Sequence, residues 1–171
     1  MVHIYHGDGK GKTTAALGLA LRMLGAGKQV FMVQFLKGQH TGELSVLLKM
    51  QGVTVLRGRQ NMKFVFQMTP EEKAEVYALQ MRQLALAFEA ARAERAQLLL
   101  LDEALDAVDT GTLDEDTLID GIKSCPDEVE SVLTGRNPSA RLLEAASYVT
   151  HMKKEKHPFD RGTPARAGVE Y

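Results

Sequence analysis

Residues 7 to 14 read Gly-Asp-Gly-Lys-Gly-Lys-Thr-Thr, with an apolar stretch from Val2 to Tyr5 before them and an alanine- and leucine-rich stretch after them. Few segments constrain a fold so tightly, because a strand must end here, a turn must wrap an anion, and a helix must begin. Glycines let the backbone curl, successive N–H groups point inward, the helix start adds partial positive charge, and Lys12 adds a full one. The spacing predicts that Gly7, Asp8, Gly9, Lys10, Gly11, Lys12, Thr13 and Thr14 cradle the phosphates of a nucleotide, with the Thr13 hydroxyl in reach of Mg²⁺. The usual spacing, G-x-x-x-x-G-K-[ST], would need glycine at His6; the glycine is Gly7, so the loop is one residue short. The competing reading is a glycine-rich turn without a ligand, and three glycines and two lysines within six residues weigh against it.

From this loop onward, the chain alternates helix and strand signals. Thr13 to Gly25 carries Ala16, Leu17, Ala20, Leu21 and Leu24 at helical spacing. Val30 to Leu36 is an almost continuous apolar run, as for a strand covered on both faces, with Gln34 near the end where ligands sit. A polar loop follows, then a short helix from Leu44 to Met50 and a strand from Val53 to Leu56. Arg57 to Met68 is a long connection without periodicity, and such loops are more often functional than idle. Thr69-Pro70-Glu71-Glu72 is a capping box, so a helix starts there and runs to about Arg95 with Ala74, Tyr77, Ala78, Met81, Leu84, Ala85, Phe88 and Ala91 as its apolar stripe.

Leu98 to Leu101 followed by Asp102 and Glu103 is a Walker B pattern, four apolar residues and then two acids. Beyond it lie a short helix around Leu113, Leu118 and Ile122 with Asp114 or Asp116 at its cap, and a strand from Glu128 to Leu133. A helix from Ser139 to Ala146 and a strand from Tyr148 to Met152 complete the pattern. The alternation predicts an α/β, P-loop NTPase-like fold of the RecA type, a doubly wound, mostly parallel six-stranded sheet flanked by helices. At 171 residues the chain is expected to form one domain. The segment from 153 to 171 has Gly, Pro and charge but little periodicity, and by composition it reads as a mobile tail.

Composition narrows the function. With 21 basic and 22 acidic residues and a net charge of −1, nothing asks for nucleic acid or an anionic membrane, so any anion must be met by a local site. The single cysteine, Cys125, excludes an internal disulfide and suits a reducing compartment; with no apolar leader or long apolar run, a cytoplasmic protein is expected.

In an open α/β sheet, ligands bind beyond the carboxyl ends of the strands. Those ends carry the loop to Thr13, Gln34 to Gly38 with Lys37, Arg57 onward, Asp102-Glu103, and Thr134-Gly135-Arg136. One cleft can collect them, with Mg²⁺ between Thr13, a phosphate oxygen and the pair Asp102 and Glu103. Hydrolysis could use Glu103 as base and Arg136 as the cation for transition-state charge. No Ser-His-Asp or Cys-His arrangement is evident, so the nucleophile is water or a second substrate.

Several blocks together resemble the P-loop ATP:corrinoid adenosyltransferases. They are G-D-G-K-G-K-T-T (7 to 14), the helix through Arg22, V-Q-F-L-K-G (33 to 38), L-L-L-D-E (99 to 103), L-T-G-R (133 to 136), and K-H-P-F-D-R-G-T-P-A-R-A-G-V-E-Y (156 to 171). The resemblance implies transfer of the 5′-deoxyadenosyl group of ATP to Co(I) of a corrinoid such as cob(I)alamin, with release of triphosphate. Reduced cobalt would be the nucleophile, and the protein would position the reactants and stabilise a highly charged leaving group. By the same resemblance ATP lies reversed in the loop with C5′ exposed, and Arg22, Gln34, Lys37 and Arg136 join the loop in binding it. Lys12, Phe64 and Phe66 act in catalysis, the two aromatics pressing on the corrin, and Glu103 becomes a Mg²⁺ ligand rather than a base.

The tail from His157 to Tyr171 then becomes an ordered wall of the cleft. The resemblance further implies a reductase or reduced flavoprotein as electron donor and a homodimer as the assembled state. Many relatives carry a covering segment before the first strand and often tryptophan at the position of Phe66; this sequence has neither, and its stretch from Ala104 to Thr112 resembles the family poorly. Two other readings compete: a P-loop ATPase or kinase-like enzyme yielding phosphate or ADP, and a carrier that binds nucleotide and corrinoid without chemistry.

Overall fold

The computed structural model describes residues 1–59 and 61–171. Six parallel strands form one sheet in the order β3-β2-β4-β5-β1-β6: β1 (Val2–His6), β2 (Val30–Gln34), β3 (Val53–Arg57), β4 (Leu98–Asp102), β5 (Glu130–Gly135) and β6 (Tyr148–His151). The mostly parallel sheet expected from the sequence is thus entirely parallel. Its centre is apolar on both faces because β4 is flanked on both sides and all five of its residues are buried. That two-sided burial explains the unbroken leucine run from 98 to 101.

The helices divide between the two faces. On one, α1 (Lys12–Gly25) and α2 (Gly42–Leu47) bury Ala16, Ala20 and Leu47 against Met32, Leu98, Leu100 and Val132. On the other, α3 (Pro70–Arg92), α4 (Ala104–Asp109), α5 (Glu115–Lys123) and α6 (Ala140–Ala145) pack on Ile4, Val33, Leu99, Leu101 and Leu133. Residues of opposite parity along each strand serve opposite layers, as the pleat requires. Between α3 and α5 the approach is so close that a Cβ on Gly121 would lie 1.9 Å from the Phe88 ring.

Several boundaries move from their sequence expectation. The second strand ends at Gln34 rather than Leu36, because Leu36 takes a left-handed conformation (φ 55°) and the chain turns out of the sheet. The second helix begins two residues early and stops at Leu47. The fifth strand begins at Glu130 and extends through Gly135. The capping box forms as read, with Glu72 N–H donating to Thr69 and the Glu72 carboxylate accepting from Thr69 N–H, but α3 stops at Arg92.

The buried stripe of α3 is the larger correction. Ala74, Tyr77, Ala78 and Ala85 face solvent, whereas Val76, Gln80, Gln83, Leu84, Ala87, Phe88 and Ala91 face the sheet. An alanine-rich helix offers two similar apolar faces, and the choice goes to the one where Gln83 Nε2 donates to the Arg57 carbonyl at the end of β3. The sequence reading also left α4 without an assignment.

A candidate nucleotide site at the carboxyl ends of the strands

The loop between β1 and α1 is braced from outside by the chain leaving β6 and by Arg136 after β5. Gly9 N–H donates to the Met152 carbonyl (2.7 Å), Lys154 N–H donates to the Asp8 carboxylate (2.9 Å), and Gly7 N–H donates to the Arg136 carbonyl (3.1 Å). Glycine is required where this brace is closest: a Cβ on Gly9 would lie 2.5 Å from the Met152 carbonyl oxygen. Gly11, the last glycine of the loop, takes φ +115° and sets the direction of α1.

Lys12 opens α1, half-buried, with Nζ donating to the Gly9 carbonyl at 2.8 Å. Burial lowers its pKa, and the neighbouring Asp106 is the charge that opposes this most. Thr14 is exposed one residue beyond Thr13 in the first turn. Lys10 reaches the C-terminal segment, donating to the Val169 carbonyl at 2.6 Å.

Asp102 stands at the centre, fully buried at the end of β4. Its Oδ1 accepts from Thr13 Oγ1 (2.8 Å) and Thr134 Oγ1 (2.7 Å), and its Oδ2 accepts from Lys37 Nζ (2.7 Å). Three separate segments supply those donors, so both oxygens of this buried carboxylate have partners. The topology provides the geometry: β5 lies between the loop strand β1 and β4, so Thr134 is carried to Asp102, and the Thr134 hydroxyl also accepts from Glu103 N–H at 2.9 Å. Burial opposes the charge on Lys37, yet Asp102 and Glu103 outweigh it and raise its pKa.

Glu103 follows in a left-handed conformation (φ 61°), precedes α4 without a side-chain cap bond, and approaches Lys37 Nζ at 3.5 Å. Holding a glutamate there costs on the order of 1 kcal/mol, and such strain concentrates at working sites. Burial pushes its pKa up to about 7 despite the nearby lysine, leaving a carboxyl that a cation would ionise.

Gln34 is buried at the end of β2, in register with Asp102 on one side and Arg57 on the other; its Nε2 donates to Glu43 (3.3 Å) and its Oε1 has no partner among the described residues. Arg136 leaves β5 beside the loop, its N–H donating to Asp106 Oδ1 at 3.3 Å. Arg22 is the residue that the fold does not bring in. It is exposed in the last turn of α1, about 15 Å of helix from Lys12.

Phe64 and Phe66 lie on the connection leaving the carboxyl end of β3, with their rings stacked 5.6 Å apart and 70% and 81% exposed. A core role for the pair is thereby excluded. Exposed ion pairs Arg59–Glu75 and Lys63–Glu72, both at 2.6 Å, tie this connection to α3. Sequence reasoning missed Asp106, whose signal was its place three residues beyond Glu103 on a helix left unassigned. It also missed the His6–His151 stack (4.8 Å) beside the loop; burial, and then the charge of His151, lower the His6 pKa.

A phosphate loop opening a helix, with a buried Walker B aspartate bonded to its threonine, defines a doubly wound, P-loop NTPase-like protein. A KaiC-like protein from Pyrococcus horikoshii shares that fold over 91% of this chain and 74% of its own length, with TM-score 0.52 and 15% identity. The chain belongs more narrowly to the ATP:corrinoid adenosyltransferase BtuR/CobO/CobP family, whose model matches residues 1–171.

Its relatives include proteins named corrinoid adenosyltransferase. That of Escherichia coli K12 is 31% identical over all of this chain and 85% of its own length. The Sinorhizobium protein is 33% identical over all of this chain and 80% of its own, and that of Pseudomonas aeruginosa 34% over 98% and 82%. Among the described residues, no helix is long and apolar enough to cross a membrane.

Proposed function

We propose that this protein transfers the 5′-deoxyadenosyl group of ATP to Co(I) of a corrinoid, cob(I)alamin or a related one, releasing triphosphate. In this step the cobalt electron pair forms the Co–C5′ bond, the C5′–O bond breaks, and its electron pair leaves on the triphosphate oxygen. The observation that carries the reading is a stacked, solvent-exposed phenylalanine pair on the connection leaving the carboxyl end of β3, the end of the sheet from which the cationic loop also leaves, in a chain of this family. A flat apolar macrocycle is the kind of ligand such a pair can meet face to face.

In this reading Gly7, Asp8, Gly9, Lys10, Gly11, Lys12, Thr13 and Thr14 bind the triphosphate, with Lys12 and Arg136 countering charge on the leaving oxygens. Binding requires Lys12 to leave the Gly9 carbonyl. Thr13 and Glu103 offer hard oxygens for Mg²⁺, while Asp102, with both oxygens engaged, orients Thr13 and Lys37 from behind. Mg²⁺, when bound, supplies neutralisation of the polyphosphate. Gln34 and Lys37 border the same cleft, and the 153–171 segment walls it through its bond from Lys10 to Val169. No general base is needed, since the nucleophile is the reduced metal.

A reductase or reduced flavoprotein as electron donor, a homodimer and a cytoplasmic setting belong to the same proposal. Phosphoryl transfer is the alternative, and the raised Glu103 pKa is what favours it, because a carboxyl near 7 suits a general base. The test is anoxic incubation with Mg-ATP and reduced cobalamin. Equal yields of adenosylated corrinoid and triphosphate are expected, whereas ADP or phosphate without the alkyl product would establish the alternative.

A further inference from the structure

Asp106 occupies the third position of α4, and the tight junction of α4 with β5 fixes its carboxylate. Its Oδ1 accepts from Arg136 N–H at 3.3 Å, and a Cβ on Gly135 would fall 2.9 Å from its Oδ2 and 2.5 Å from Leu105 Cβ. Unlike Asp102, it receives no hydroxyl or ammonium hydrogen bond among the described residues, so its second oxygen keeps its lone pairs. Burial raises its pKa, against the hydrogen bond from Arg136 N–H and the charges of Arg136 and Lys12. Of the charges around Lys12, Asp106 acts most strongly, ahead of Arg136, Asp8 and Glu103. A fixed carboxylate therefore stands against the turn whose Arg136 carbonyl accepts from Gly7 N–H of the loop.

We propose that Asp106 is a positioning residue that limits the grip of the loop on polyphosphate: its carboxylate, held at the Arg136 turn beside the loop, opposes retention of the triphosphate product. The inference rests on the adenosyl-transfer reading, in which the leaving group stays behind as a highly charged anion. A site built to stabilise that charge as it develops binds the product tightly as well, and release then governs turnover. A carboxylate beside the binding loop weakens every state of the bound polyanion.

The test is calorimetric titration of inorganic triphosphate, ATP and adenosine, each with Mg²⁺, into the wild-type chain, Asp106→Asn and Asp106→Glu. Asparagine preserves the shape and the acceptor for Arg136 N–H but removes the charge. Asp106→Asn is expected to bind triphosphate about tenfold more tightly and ATP more tightly as well, with adenosine unchanged and Asp106→Glu close to wild type. Under turnover it should show stronger inhibition by added triphosphate.

Unchanged or weaker triphosphate binding by folded Asp106→Asn would overturn the inference, as would an equal change for adenosine, which reports shape rather than charge. If asparagine prevents folding, Asp106→Ser carries the same expectation. A wild-type chain that binds neither ATP nor triphosphate would overturn the adenosyl-transfer reading itself, whereas binding that is indifferent to Asp106 overturns this inference alone.

Discussion

The two halves of the proposed cleft are built in opposite ways. At the ends of β1, β2, β4 and β5 the side chains are buried or half-buried and bonded to one another: Asp102 alone joins Thr13, Thr134 and Lys37 within 2.8 Å. On the connection after β3, Phe64 and Phe66 lie almost bare, held in place by their mutual stacking and by exposed ion pairs to α3. Exposed pairs of that kind contribute little, so the aromatic half is free to adjust while the phosphate half is preorganised. The contrast suits the two ligands, since a polyphosphate demands fixed charges whereas a macrocycle demands apolar surface that can close on it.

The largest expected effect is on the rigid half. Lys12→Ala should reduce triphosphate formation by about a hundredfold or more while the protein stays folded, measured by product assay and thermal melting. Should activity persist near wild type, the loop does not hold the leaving group. Phe66→Ala comes next. It should lower adenosylation by about tenfold with ATP affinity and melting temperature unchanged, because a residue so exposed contributes little to stability.

The third expectation concerns Glu103, whose pKa is raised from 4.5 to about 7, chiefly by burial. Between those values the folded chain holds a proton that the unfolded chain has lost, so stability of the free protein should fall as pH rises through this window and level off above it. If Glu103 holds Mg²⁺ as proposed, Mg-ATP binding should weaken by up to about tenfold per pH unit below 7 and release a proton. Glu103→Gln should flatten both profiles, read by denaturation and calorimetry across pH.

The smallest effect is at the junction of the two halves. Thr69→Ala removes the cap of α3 and should cost about 1 kcal/mol with turnover nearly unchanged, measured by chemical denaturation. A large loss of turnover there would mean that the aromatic connection depends on the exact start of α3.

How much of this was legible in the sequence follows the same division. The loop, the Walker B strand and the alternation of elements were readable because buried strands must be continuously apolar and an anion loop needs glycine and lysine at fixed spacing. The face of α3 was not, because alanine marks no side and Gln80 and Gln83 turn inward. The short helix α4 escaped because it is six residues long and opens from a strained glutamate rather than a capping side chain, and Asp106 was missed with it. Nor could sequence tell whether Phe64 and Phe66 were core or surface. Only the turn of the chain after β3 decides that.

The most direct test of the two-halves account is to measure Mg-ATP and cob(II)alamin binding separately in Lys12→Ala and in the Phe64→Ala/Phe66→Ala double variant. The account predicts crossed losses: the lysine variant loses nucleotide affinity and keeps the corrinoid, and the aromatic variant does the reverse. Equal loss of both ligands in either folded variant would contradict it.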